Sequence, residues 1–580
     1  MKSRFLPFLN WKVSPKKELK HDAVSGLTVA LLIIPQSMAY AELAGLPPVV
    51  GLYASFLPVI IGGLFGSLGQ LATGPVAMTS MLTASALSVY ASTGASTQEL
   101  VFMAAILALQ AGVILLLAGV FKLSFIVNFV SHPVISGFTS AAALIIGLSQ
   151  VDKLFGIPVD ADDSIGFISS LFSTFSNITT AHVPTLIVGS GSLLLLFFLK
   201  KYTPKAPGLL IVATIATVGS YLSGFQELGG NVVGVIPEGL PSFGFPCAGT
   251  TVESLSALFM KLLPEAVIIA TIGFVEVLAI SKAISMHTKQ SLDLDQELIG
   301  QGLASISAGL SHGYPTSGSF SRTAVNLSSG AKTGMSSVYT GLIVALTLLF
   351  FTPLLHHLPK ATLAAGILMA VIRLVDIKPI IHSWKIDRSD GVAAVVTFVL
   401  ALSFAPKVEQ AIIVGIVLSL ALHIYRTMKP QVSVLSMHED GTLQDANEFN
   451  LTRSEHIIPI RFDESLYFAS VSHFENSIIN ALAEQPEAKF ILVVADGINR
   501  IDASGEVALR QLLERLQENG ITLVFSGLQN KALSVIKGSG LYDEVGAENF
   551  YSRPELAISD IHQKIGLSAD GTQYSPLYNI

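Results

Sequence analysis

The chain has 580 residues, 51% of them apolar and only 13% charged, with a mean hydropathy of +0.62. That composition places most of it in a bilayer. A net charge of −7 without a long basic tract excludes nucleic acid as a partner class, and the single cysteine, Cys247, excludes an intramolecular disulfide and a cysteine-rich zinc site. Residues 1–20 form a basic cytoplasmic segment without an apolar core followed by a small-residue cleavage site. The first apolar run is therefore expected to remain as a membrane span.

A transmembrane domain is expected over 21–428. Its apolar runs predict spans near 24–41, 48–65, 74–90, 100–121, 129–149, 183–199, 207–224, 262–283, 297–311, 318–330, 337–356, 362–376, 390–405 and 409–425. Several fall short of the about 20 residues needed to cross the hydrocarbon. Short spans are acceptable where they meet another segment at the midplane and protein satisfies their backbone. Lys12, Lys16, Lys17 and Lys20 precede the first run, and Lys200, Lys201 and Lys205 follow the sixth. Lys282 and Lys289 follow the eighth; Arg373, Lys378, Lys385 and Arg388 the twelfth; Arg426 and Lys429 the last. With fourteen spans all these lie on one side, the cytoplasmic one, and both termini with them.

Two stretches interrupt the apolar pattern. Leu71-Ala72-Thr73-Gly74-Pro75 opens the third run, and Tyr314-Pro315-Thr316-Ser317-Gly318-Ser319-Phe320-Ser321-Arg322 opens the tenth. Pro75 suits the first turn of a helix, and Gly74 lets backbone approach a bound group. A helix starting partway across a bilayer leaves free N–H groups and a positive dipole end at that depth, which suits an anion. Each break alone reads equally as a kink; the pair, at corresponding points of two halves, points to a transporter's substrate site. Seven spans per half is an odd number, so the halves would insert in opposite senses, as two inverted repeats.

After Lys429 the character changes. A linker and the start of the soluble tail are expected over 429–455, then a small α/β domain over 456–566, then a C-terminal tail over 567–580. Its expected elements are strands at 457–462 and 466–468 meeting at Asp463-Glu464, a helix at 471–482, and a strand at 490–494. A helix at 504–519, a strand at 522–525 and a helix at 531–537 follow.

The run Pro35-Gln36-Ser37-Met38-Ala39-Tyr40-Ala41-Glu42-Leu43-Ala44-Gly45-Leu46-Pro47-Pro48, followed by Gly51-Leu52-Tyr53-Ala54-Ser55, resembles the signature of the SulP family of anion transporters, its sulfate-permease branch above all. Gln296-Glu297-Leu298-Ile299-Gly300-Gln301-Gly302-Leu303-Ala304 and Ser319-Phe320-Ser321-Arg322-Thr323-Ala324-Val325-Asn326 are similar to further family segments, and the tail resembles a STAS domain. Ser305 departs from the family, which often has asparagine there. The resemblance implies a polytopic α-helical protein of two inverted seven-span repeats, a cytoplasmic α/β STAS domain and a homodimer. It also implies an anion site between the starts of the third and tenth helices, with residues of the first and eighth beside it.

The candidate residues carry competing readings. Glu276 lies within an apolar helix, where an ionisable group is costly and a functional candidate. As a proton-coupling group it would admit a dianion when protonated and repel one when ionised; as a structural group it would be hydrogen-bonded to neighbouring helices. Arg322, one turn into the second broken helix, would complement a bound anion, or pair with a membrane acid, Glu276 included. Gln36 and Ser37 are uncharged donors that bind an oxyanion or bridge helices, and Tyr40 lies one turn on. Thr73, Ser317, Ser319 and Ser321 add hydroxyls beside Gly74 and Gly318, or cap helix ends. His312, near the second break, reads as a proton carrier or, more simply, as a structural histidine at a helix end. In the tail, Ser504 of Ile501-Asp502-Ala503-Ser504-Gly505 resembles the phosphorylated serine of bacterial STAS regulators, or is part of an N-cap.

The expectation is a secondary active transporter of the inner (plasma) membrane that moves an oxyanion, sulfate first, with protons. Na⁺-coupled bicarbonate or dicarboxylate transport are the rival cargoes; a passive anion channel or a STAS-linked sensor are the rival classes. No nucleophile, metal set or cofactor site stands out, so an enzyme is not expected. Membrane lipid and a STAS-binding regulatory protein complete the expected partners.

Overall fold

The computed structural model describes residues 7–10, 17–125, 130–157, 167–203, 207–246, 252–372, 375–405, 408–438 and 441–565. Cys247, Lys12, Lys16, Lys205, Arg373 and the tail over 567–580 lie outside them. The chain divides into two compact units, Met1–Ser419 and Leu420–Ile580.

The first unit is helical. In chain order it holds α1 (Lys17–Leu43), α2 (Pro48–Tyr53), α3 (Leu57–Phe65), β1 (Thr73–Gly74), α4 (Ala77–Ser92), α5 (Thr97–Val120), α6 (His132–Leu148), α7 (Val151–Phe155), α8 (Phe167–Ser176), α9 (Val183–Tyr202) and α10 (Gly208–Ser223). Then come α11 (Val252–Thr288), α12 (Leu294–Leu310), β2 (Ser317–Gly318), α13 (Phe320–Ser328), α14 (Met335–Phe350), α15 (Lys360–Val371), α16 (Lys378–Ile386), α17 (Arg388–Phe404) and α18 (Glu409–Met428), which runs past the boundary between the units. Local chemistry sets many of the starts. Proline occupies the first turn of α2, α3, α6, α9 and α16, where its missing N–H costs nothing. Ser96 and Glu99 form a reciprocal capping box at α5.

Among the described residues seven helices are long and apolar enough to cross a membrane, and three further apolar helices are shorter. The expected fourteen includes further short helices: α4 has 16 residues and α13 only 9. The expected span at 48–65 is two helices, α2 and α3, separated at 54–56. Outward-facing apolar side chains such as Ile187, Leu194, Phe197 and Leu222 suit a lipid solvent.

Backbone-close packing builds the interior. A Cβ on Gly112, Gly119, Gly302 or Gly309 would come within 2.5–2.6 Å of backbone on the facing helix, so α5 and α12 touch main chain to main chain. The same closeness joins α1 to α14 at Gly26, and a Cβ on Gly63 of α3 would meet the Ser337 side chain of α14 at 2.5 Å.

In the second unit the sheet order is β4-β3-β5-β6-β7-β8, with β3 (Val432–Met437), β4 (Leu443–Asp445), β5 (Ile457–Phe462), β6 (Phe490–Val494), β7 (Thr522–Ser526) and β8 (Phe550–Tyr551). The pairs β5–β6, β6–β7 and β7–β8 are parallel, and β3 is antiparallel to both neighbours. Helices α19 (Val471–Glu484), α20 (Ala503–Glu518), α21 (Asn530–Gly538), α22 (Leu541–Val545) and α23 (Pro554–Ile565) complete it. Strand alternation splits the core in two. Ile458, Ile460 and Phe462 join Phe474, Leu509 and Leu512 on one face; Ile457, Leu492 and Val524 meet Ala557, Ile558 and Ile561 on the other.

Two expectations are corrected here. Residues 466–468 form no strand: Leu466 makes an isolated parallel bridge to Ile501, because the chain turns into α19 within a few residues. The stretch expected as linker, 429–455, supplies β3 and β4 instead.

Candidate anion site

The two breaks meet. β1 pairs antiparallel with β2, with Thr73 opposite Gly318 and Gly74 opposite Ser317. α4 starts just after one strand and α13 just after the other. α4 has an extended N-cap, Val76, with no side-chain cap, so its first N–H groups are left to other partners. The α13 start is capped by Ser319, whose hydroxyl accepts from the Arg322 N–H. Two cross-links tighten the crossing: the Ser319 N–H donates to the Ala72 carbonyl and the Ala72 N–H to Thr323 Oγ1, each at 3.0 Å.

Arg322 lies against this crossing, only 1% exposed. Its Nη1 donates to Gln36 Oε1 at 3.1 Å, and Gln36 Nε2 donates to the Tyr40 hydroxyl at 3.1 Å. Pro35 precedes Gln36 in mid-helix and removes one i→i−4 bond from α1 there. The Arg322 Nε and Nη2 are buried and have no hydrogen-bond partner among the described residues. A Cβ on Gly74 would sit 3.3 Å from Nη2 and 3.1 Å from Ile33, and its φ of +144° favours glycine. The bare backbone is what lets the guanidinium sit there. A buried cation with two unused donors beside an uncapped helix start is equipped to hold an oxyanion.

Glu276, on α11, is half-buried; its Oε2 is enclosed and has no hydrogen-bond partner among the described residues. It lies within electrostatic reach of both Arg322 and Tyr40, yet no ion pair joins it to Arg322 among the described residues. Gln36 takes that place on the guanidinium.

The remaining candidates are spent elsewhere. The Ser37 hydroxyl donates to its own helix at Ile34, Ser317 donates to the Gly273 carbonyl at 2.9 Å, and Thr73 accepts from Gln301. Ser319 is the α13 cap, and Ser321 is exposed, 3.3 Å from the Ser319 hydroxyl. Gly318 has Val277, Leu71 and Ile280 where a side chain would go. His312 adopts φ +52° and its Nδ1 lies 2.9 Å from the Ser242 carbonyl, a structural contact. Ser305, where the family often has asparagine, donates to the Thr316 carbonyl at 3.3 Å. In the second unit Asp502 caps α20 through the Gly505 N–H and also accepts from the Phe468 N–H, leaving Ser504 exposed in the first turn.

Sequence reasoning missed two groups. Tyr314 and Ser80, both fully buried, hydrogen-bond at 2.9 Å across the two breaks. Because the Ser80 hydroxyl donates to the Val76 carbonyl at 2.7 Å, Tyr314 must be the donor between them. Both residues stand within a turn or so of the breaks. Only their partnership was hidden.

The sulfate permease family profile matches residues 19–397, and the STAS domain profile matches residues 448–557. The chain is 33% identical over 565 residues to "Sulfate transporter 4.1, chloroplastic" of Arabidopsis thaliana, covering 93% of this chain and 79% of that one. It is 30% identical to a probable sulfate transporter of Mycobacterium tuberculosis strain H37Rv, over 95% of this chain and 96% of that one. In three dimensions it resembles the murine Solute Carrier 26 family member A9 anion transporter in its inward-facing state. That match has a TM-score of 0.87 at 22% identity, covering 96% of this chain and 94% of the other. The joined breaks, the apolar helices and the sheet-bearing second unit thus carry a family name: this chain belongs to the sulfate permease family of multi-pass membrane anion transporters and ends in a STAS domain.

Proposed function

We propose that this protein is a secondary active transporter that carries sulfate with protons by alternating access. The observation that carries the reading is Arg322, fully buried, with Nε and Nη2 unused and its remaining contact made to an uncharged partner, Gln36. A structural arginine at this depth would be neutralised by a carboxylate. One whose partner is a neutral amide awaits an anion. Gln36, Tyr40, the Gly74 backbone and the first turns of α4 and α13 form the cradle. Glu276 stands beside it as the coupling group: with a proton it adds no charge, and without one it opposes a dianion. The antiparallel crossing of β1 and β2, each followed by a short helix, supports two inverted repeats. The two repeats would present one site alternately to each side, within a homodimer of the inner membrane with cytoplasmic termini and STAS domain. Ser504 is exposed at a helix start, where a phosphate would be stabilised, and serves as the regulatory modification point.

The test is radiolabelled sulfate uptake into proteoliposomes under an inward proton gradient, with bicarbonate and fumarate as competitors. Accumulation above equilibrium, collapsed by a protonophore and unaffected by either competitor, is expected. Uptake that stops at equilibrium would make the protein a passive pathway. Bicarbonate or fumarate carried in place of sulfate would keep the site and change the cargo.

A further inference from the structure

Behind the site, on the side of β1 facing away from Arg322, lies a buried carboxylate that the proposed transport cycle does not use. Glu297, on the first turn of α12, is 0% exposed and has no ion-pair partner among the described residues. Its Oε2 accepts from both the Ser67 N–H and the Ser67 hydroxyl at 2.9 Å. Its Oε1 accepts from Gln301 Nε2 at 3.1 Å, and the same Nε2 donates to Thr73 Oγ1 at 3.0 Å. Glu297 and Gln301 are one turn apart and so share a helix face. Ser67 and Thr73 are the two ends of the segment that leads from α3 into the break, and Gly74 follows at once.

We propose that Glu297 and Gln301 are positioning residues for anion binding: a clamp on α12 that grips both ends of Ser67–Thr73 and so fixes where Gly74 meets Arg322 and the anion. Between those ends the segment is held from the other side, where Asn326 donates to the Gln70 carbonyl at 2.9 Å and the Ala72 N–H to Thr323. Gly300 of the same α12 turn touches the Gly66 backbone (a Cβ there would be 2.6 Å from the Gly66 N), and Gln296 Nε2 donates to the Phe65 carbonyl at 2.7 Å. One turn and a half of α12 therefore holds both ends of the approach to β1. The carboxylate is needed because one acceptor group must serve the Ser67 N–H, the Ser67 hydroxyl and the Gln301 amide together, and an ionised carboxylate accepts at both oxygens without offering a competing donor. Gln301 is needed because its single nitrogen bridges to Thr73, its two N–H groups pointing one to each acceptor. The Thr73 hydroxyl is buried against Gly62, so it steadies β1 from behind and does not face the anion.

This inference rests on the anion site proposed above, and the test separates the two. Sulfate uptake by the full chain in proteoliposomes is measured for Gln301→Leu, Thr73→Val, their double variant, Thr73→Ser and Arg322→Gln, with thermal unfolding of each detergent-purified protein alongside. Losing one link is expected to raise the sulfate KM about tenfold with Vmax within about twofold of wild type. The double variant should be no worse than either single one, because both cut one chain. Thr73→Ser, which keeps the hydroxyl, should return KM to near the wild-type value. A KM unchanged in Gln301→Leu and Thr73→Val while Arg322→Gln abolishes binding overturns the clamp and leaves the site standing. Multiplied losses in the double variant, or lowered unfolding temperature with normal KM, also overturn it. A normal KM in Arg322→Gln overturns the site reading and the clamp with it.

Discussion

A guanidinium sealed from water is stabilised by each hydrogen bond it makes and penalised for each it lacks, and Arg322 lacks two. Substitution should therefore act on binding before it acts on folding. Arg322→Lys keeps the charge but not the fork, and is expected to weaken sulfate about tenfold; Arg322→Gln, losing both, about 100-fold. Isothermal titration or KM from proteoliposomes checks the ranking; equal losses would mean that the charge without the fork contributes nothing, and an unimpaired Arg322→Lys would mean that the fork is not used. Glu276→Gln holds the neutral form permanently: uptake driven by the proton gradient should vanish while sulfate–sulfate exchange continues. Unchanged accumulation would remove Glu276 from coupling. At this scale the sequence made Arg322, Gln36 and Glu276 visible because charge or strong polarity in an apolar run is conspicuous. The partners of Ser37 and Ser317 were not legible, because a hydroxyl readily satisfies itself on a nearby carbonyl and which one it chooses depends on rotamer and neighbours. The Ser80–Tyr314 pair joins residues 234 apart in sequence, and no local pattern announces it.

Helix-level consequences follow from small residues and from charge placement. α5 and α12 approach so closely at Gly112 and Gly302 that any side chain must push main chain apart. Gly302→Val should cost several kcal/mol, seen as loss of folded protein in detergent, whereas Gly191→Ala on α9, with open space around it, should be nearly neutral. Comparable stability of the two variants would contradict the backbone contact. A second consequence concerns the ion pair of Glu42 and Lys360, 3.1 Å apart. Glu42 sits in the last turn of α1 and Lys360 at the first position of α15, so each charge stands at the unfavourable end of its own helix dipole. Only the partner offsets this. Single alanine substitutions should each relieve one bad placement while exposing the other, so a double-mutant cycle on thermal stability should show coupling of about 1 kcal/mol. Additive effects would make the contact incidental. Breaks at Gly74 and Gly318 were legible from Gly, Pro and Ser within apolar runs. That the breaks pair as strands was not, because two-residue strands leave no periodicity to read.

The whole chain is built from two units whose cores share no residue: the helical unit's core and the sheet cores over 430–565 are separate clusters. Legibility differed between them for a physical reason. Alternating strands and amphipathic helices write their periods plainly, so β5, β6, β7, α19, α20 and α21 were each anticipated. β3 and β4 were not, since the two serines of Val432–Met437, Ser433 and Ser436, stand three apart and break the alternation, and the strand lies close after a long apolar helix. Separate cores imply separable tasks. The residues proposed to hold the anion, Gln36, Tyr40, Gly74 and Arg322, all belong to the first unit. Deleting Gln431–Ile580 should therefore leave the order of preference among sulfate, bicarbonate and fumarate unchanged. The loss should fall on rate or on dimer stability, measured as Vmax and as mass in detergent by light scattering. A changed preference would mean that the STAS domain shapes the site from outside it. A variant with wild-type rate and mass would leave that domain a docking platform for a regulator alone, with Ser504 as the place where such a regulator would write its signal.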